Sequence, residues 1–70
     1  MTPALDQRMD VRLALSRLSP ELRETAVLYF CQDLPQRQIA AILGIGLPLV
    51  KYRVRRAREL LSLQLGKEEL

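Results

Sequence analysis

The stretch Leu43-Gly44-Ile45-Gly46-Leu47-Pro48 leaves this chain few options. Upstream, in Gln36–Leu43, the apolar residues Ile39, Ile42 and Leu43 recur at helical spacing, with Ala40 and Ala41 between them. Gly44 follows at once, where a helix end takes positive φ at least cost. Gly46 is a passable N-cap, and Pro48 suits a first helical turn because its missing N–H costs nothing there. Downstream, Val50, Val54, Ala57 and Leu61 form a stripe at i, i+4, i+7, i+11. Two helices joined by a tight turn are expected, near 36–43 and 47–64.

This is the pattern of a helix-turn-helix. Ala40 is small because the second helix crosses close above it, and Ile39, Leu43, Ile45 and Val50 are expected to share a core. The competing reading is a generic helical hairpin, and the charges argue against it. Between Gln36 and Arg58 there are six basic residues (Arg37, Lys51, Arg53, Arg55, Arg56, Arg58) and no acid. The rest of the chain holds five basic and eight acidic residues, so the net +3 divides into +6 here and −3 elsewhere. A charge run is usually a solvated face. One concentrated on the second helix of a helix-turn-helix points to a phosphate-binding surface.

Seventy residues make one small domain, whose core can supply roughly 3–5 kcal/mol. At 49% hydrophobic residues it is not a disordered tail. Alternating β-branched runs and Asn-Gly or Asp-Gly hairpin turns are absent, so the expected class is all-α, a small four-helix domain ending in the helix-turn-helix. One cysteine and no histidine exclude a disulfide framework and disfavour zinc. Cys31 is expected to be a small core residue. No cofactor or small-molecule substrate is expected. Histidine, paired carboxylates beside the basic face and a phosphate loop are all missing, so an enzyme reading has no support. With no apolar run near 18 residues and no signal-like start, no membrane association is expected, and the setting expected is the reducing cytoplasm.

Residues 1–4 read as a lead-in or linker, 5–65 as the domain and 66–70 as a frayed tail. Leu5, Met9, Leu13 and Val11, Leu15, Leu18 trace a broad stripe on a helix expected near 5–18, with Arg8, Arg12 and Arg17 alternating with Asp6 and Asp10 opposite. Ser19-Pro20-Glu21 is clear punctuation: an N-cap, a first-turn proline and a first-turn acid. A second helix is expected over 20–32, with Leu22, Ala26, Tyr29 and Phe30 inward and Leu28 and Cys31 widening the stripe. Asp33-Leu34-Pro35 breaks it, and Asp33 tolerates the left-handed conformation.

The run from Ala14 to Leu61 resembles region four of bacterial RNA polymerase sigma factors, most closely the extracytoplasmic-function type. Family members read A-L-x-x-L-P-x-x-x-R-E, an apolar helix, then L-S-x-x-E-I-A-x-x-L-G-I-S-x-G-T-V-K-S-R-L-x-R-A-R. The chain matches at Ala14, Leu15, Leu18, Arg23, Glu24, Leu34, Ile39, Ala40, Leu43, Gly44, Ile45, Val50, Lys51, Arg53, Arg56, Ala57 and Arg58. The helix-turn-helix alone also fits output domains of LuxR-type regulators. Leu18-Ser19-Pro20 and the Arg53–Arg58 ending favour sigma. The resemblance implies double-stranded promoter DNA as partner, bound at the minus-35 element by the last helix. It also implies that other surfaces hold the polymerase core at its β-flap, and that an anti-sigma factor can cover such surfaces. The full family carries an upstream region two. Ala4–Arg12 looks like inter-domain linker, so a fragment of a longer sigma factor is expected rather than a region-four-only protein.

The departures fall at the start of the last helix. Gly46 stands where the family has Ser, Pro48 and Leu49 where it has Gly and Thr, Asp33 for the common Gly, and Pro35 for the Ser cap. Leu47-Pro48-Leu49 is thus an apolar tip at the turn that enters the major groove. It could read thymine methyls, dock a protein, or turn Leu49 inward beside Val50. With the stripe inward, Pro48, Lys51, Tyr52, Arg55 and Glu59 lie opposite. Lys51, Tyr52 and Arg55 are the candidates for base edges. Arg53, Arg56 and Arg58 flank them and, with Arg37, are candidates for phosphates; Leu47 and Pro48 complete the DNA-facing set. The alternative is an interaction module that binds an anti-sigma factor, a co-regulator or a second copy of itself through the apolar tip.

Overall fold

A computed structural model describes residues 11–66. Helix α1 is helical over 11–16, α2 spans Pro20–Ala26 and continues as a π-helical turn over Val27–Cys31, α3 spans Gln36–Leu43 and α4 spans Leu47–Leu65. Among the described residues there is no strand, and no helix is long and apolar enough to cross a membrane. The expected start of the first helix at residue 5, with Leu5, Asp6, Arg8, Met9 and Asp10, lies outside the described residues, as do the lead-in 1–4 and residues 67–70 of the tail.

The end of α1 comes earlier than expected. Arg17 and Leu18 close a tight turn, their N–H groups donating to Ala14 and Leu15 carbonyls at 3.2 and 3.1 Å. The reason lies in the next element. Ser19 is extended (φ −60, ψ 156) and its hydroxyl accepts from the Leu22 N–H at 3.4 Å, so it must leave α1 to cap α2. Arg23 then reaches back from α2. Its guanidinium donates to the carbonyls of Ser16 (3.2 Å) and Leu18 (3.4 Å), groups that a helix C-terminus leaves without a partner. The buried line of α1 is Ala14, Leu15 and Leu18, which leaves Leu13, expected on the stripe, 53% exposed.

The second helix departs from the expected α-helix to residue 32. From Val27 the ladder widens: the Gln32 N–H donates to the Val27 carbonyl and that of Leu34 to Leu28, both at 3.1 Å. Asp33 closes this wide turn at φ +56, the one non-glycine residue with positive φ among those described. Cys31 is exposed, not a core residue: it is the last residue of the π turn, at the end of the helix where the chain leaves for Asp33. Thr25 is fully buried, and its hydroxyl donates to the Glu21 carbonyl at 2.9 Å, which satisfies it without leaving the helix.

Gly44 (φ 68, ψ 35) ends α3 as expected. Its left-handed conformation turns the chain so that the Ile45 N–H reaches the Ala40 carbonyl at 3.1 Å, and Ile45 packs on the core. Of the expected α3 stripe only Ile39 is fully buried. Leu43 and Ala40 are half-buried against Val50 and Val54. Ile42 is 54% exposed, because the buried line runs through Ile39 and Leu43 and leaves Ile42 on the side facing α2.

The core has two parts, both seated on α4. Ile39, Val50 and Val54 form one, joined by half-buried Leu28, Leu34, Leu43 and Ile45. Ala14, Leu15, Leu18, Ala26, Ala57 and Leu61 form the other. Phe30 packs against both. The Gln64 amide donates to the Ala14 carbonyl at 3.3 Å and ties the end of α4 to α1.

Candidate nucleic-acid interface

Helix α4 begins at Gly46, which is extended (φ −75, ψ 154) and whose carbonyl accepts the first helical bond from Val50 at 3.2 Å. Glycine offers no capping side chain. Pro48 sits in the first turn, so one of the end N–H groups is simply absent. The stripe Val50, Val54, Ala57 and Leu61 is buried along its whole length, from 0 to 3% exposed. That fixes the rotation of the helix, and with it the outward face.

The outward face carries exposed Pro48, Lys51, Tyr52, Arg55, Arg56 and Glu59. Tyr52 is half exposed, its ring a flat polar-tipped surface among cations. Arg53 lies at the edge, half-buried. Arg37 is exposed in the first turn of α3, which holds no acid. A mixed-composition surface would carry acids among these residues. Here the single acid is Glu59, and it is engaged: its carboxylate accepts from the Arg56 guanidinium at 3.2 Å, one helical turn away. Both side chains are about half exposed (46% and 55%), so the pair is worth at most about 1 kcal/mol and opens readily for a stronger anion.

Arg58 is placed differently from its neighbours. It is exposed, but its guanidinium lies over the Phe30 ring, 5.4 Å from the centroid. Tyr29 holds that ring edge-on, at 4.9 Å between centroids and 86° between planes. Together with Asp33, Leu34 and Pro35 these residues line an open cleft between the π turn and α4.

The apolar tip divides. Leu47 is half-buried, Pro48 is exposed and Leu49 is 39% exposed, so Leu49 does not turn inward beside Val50. A leucine one residue before a buried position on a helix lies about 100° round from it and points to the flank rather than the core.

The sequence-derived set is therefore brought onto one helix and its approach, except that Arg58 is drawn toward α2. Two contacts of these residues were missed. Glu59 could have been paired with Arg56 from its i, i+3 spacing. Phe30 under Arg58 is a contact between distant parts of the chain, and no local signal announces it. Among the described residues no cluster of acids, cysteine or histidine could hold a metal ion.

A family model described as sigma-70, region 4 matches residues 8–61 of this chain. Searches of curated proteins and of solved structures gave no match.

Proposed function

The chain belongs to the sigma-70 region 4 family, a family of DNA-binding helix-turn-helix domains of sigma factors, and from that footing we propose that it reads the minus-35 element of bacterial promoters through α4 and helps recruit RNA polymerase, in the manner of the extracytoplasmic-function type. The observation that carries this reading is the rotation of α4. Its buried stripe leaves Lys51, Tyr52 and Arg55 on the open face of a helix that is a width match for the major groove. Arg55 forks onto guanine O6 and N7, and Lys51 and Tyr52 take neighbouring base edges. Arg37, Arg53, Arg56 and Arg58 bind phosphates, which fix register without reading sequence. Leu47 and Pro48 contribute shape and methyl contact only.

The setting for this activity is the cytoplasm, where promoter DNA lies. A protein partner has its own support. Pro20, Arg23, Glu24, Val27, Leu28, Ile42 and Leu43 line a groove between α2 and α3 to which α4 contributes no residue. The polymerase β-flap or an anti-sigma factor can dock there while α4 occupies DNA.

Selection of duplexes from a random pool tests the proposal. One short motif should be enriched by the chain, and Arg55→Ala should relax the choice at a single base pair by about 1–3 kcal/mol. Enrichment of no motif by the folded chain would sink the promoter reading and leave only non-specific or protein binding.

A further inference from the structure

Arg58 and Arg56 are both exposed arginines of α4, yet the fold treats them differently. Arg56 pairs with a neighbour on its own helix. Arg58 is laid against an aromatic ring from another element. That ring lies on the widened turn that ends α2. The π turn at Val27–Cys31 carries Phe30 into a position where it packs against both parts of the core and still offers a ring face to α4. Tyr29 packs edge-on against it and restrains its rotation. Arg58 follows Lys51 by seven residues and Arg55 by three, which sets all three on one flank of α4.

A free surface arginine must give up rotamer freedom when it grips a phosphate. A guanidinium held over a ring has already given up part of it, and its N–H donors can still take an anion. We propose that Phe30, held in place by the π turn, is a positioning residue that pre-orients Arg58 toward a backbone phosphate of bound duplex. The inference rests on the reading of α4 as the DNA-binding helix. π turns inside α-helices recur at functional sites, and this one carries the ring beneath the arginine.

The experiment is a double-mutant cycle on the full chain, with a mixed-sequence B-form duplex as probe and salt as the variable. Arg58→Ala should make the log–log salt slope shallower by about one. Phe30→Leu should weaken binding about two- to fivefold in the parent, the worth of an exposed cation–π stack, and have no effect in the Arg58→Ala background. Phe30→Tyr, which keeps the ring face, should bind as the parent does. Equal loss from Phe30→Leu in both backgrounds, or none in the parent, would overturn the positioning role. If Phe30→Leu does not fold, Arg58→Lys decides. It keeps the charge but not the planar fork over the ring, so the slope should hold while affinity falls; parental affinity would overturn the proposal. A parent that binds, with Arg58→Ala binding equally well, leaves the DNA reading standing and removes this one. A parent with no salt-dependent binding removes both.

Discussion

The two halves of α4 share one buried stripe and rest on unequal foundations. The second half sits on α1 and α2, where Ala14, Leu15, Leu18 and Ala26 meet Ala57 and Leu61. The first half, which carries the candidate base-reading residues, sits on α3 with three buried residues, Ile39, Val50 and Val54. The better-packed region holds the helix in place, while the thinner one aims it. On the proposed reading of α4, stability and recognition are separable along a single helix, and the turn at Gly44 belongs to the second task.

Removing core volume should have the largest effect. Ile39→Ala and Leu61→Ala should each cost about 2–5 kcal/mol, seen as a fall in the thermal midpoint. At a temperature where both remain folded, Ile39→Ala should also blunt discrimination between duplexes, whereas Leu61→Ala should not. Equal loss of discrimination would show that the halves of α4 do not act separately. Ala40→Leu should overpack the α3–α4 contact by about 1–3 kcal/mol; an unchanged melt would mean that the helices do not cross there.

Smaller changes sharpen the contrast. Arg23→Ala strips two carbonyls at the end of α1 of their donor, and should cost about 1–2 kcal/mol while leaving the salt slope of DNA binding unchanged. Gly44→Ala should cost about 1–2 kcal/mol from the left-handed φ alone, because an added Cβ meets nothing within 4 Å. Gly46→Ser supplies the missing cap. Its Cβ would meet only Pro48 Cδ at 3.6 Å, an ordinary contact, so a gain of a few tenths of a kcal/mol is expected, roughly the Ser–Gly difference at an N-cap.

The same division explains what could be read from the sequence. Gly44, Pro48 and the α4 stripe are local signals with strong backbone or periodic causes, and α3 and α4 lie where they indicate, as does the Ser19-Pro20 start of α2. The rest depends on what an element meets in space. Ile42 and Leu13 have the right spacing but lie off the buried line of their helices and stay half exposed. Cys31 has core-like chemistry, yet it ends a π turn whose extra width nothing in VLYFC announces. For the candidate interface, the stripe correctly orients Lys51, Tyr52 and Arg55 outward, because burial of one face determines the other. The stack of Arg58 on Phe30 needed the packing of α2 against α4, and no periodicity encodes it.

The central claim is that the basic face of α4 neutralises duplex phosphates, and the dependence of duplex affinity on salt tests it most directly. The six basic residues between Gln36 and Arg58 predict a log–log slope of about −5 for the parent chain. Arg56→Ala should reduce its steepness by about one for every duplex alike, since Arg56 needs only to exchange Glu59 for a phosphate. A weak binding curve that stays flat as salt rises would contradict the account, and would move the function of this domain from DNA to a protein partner.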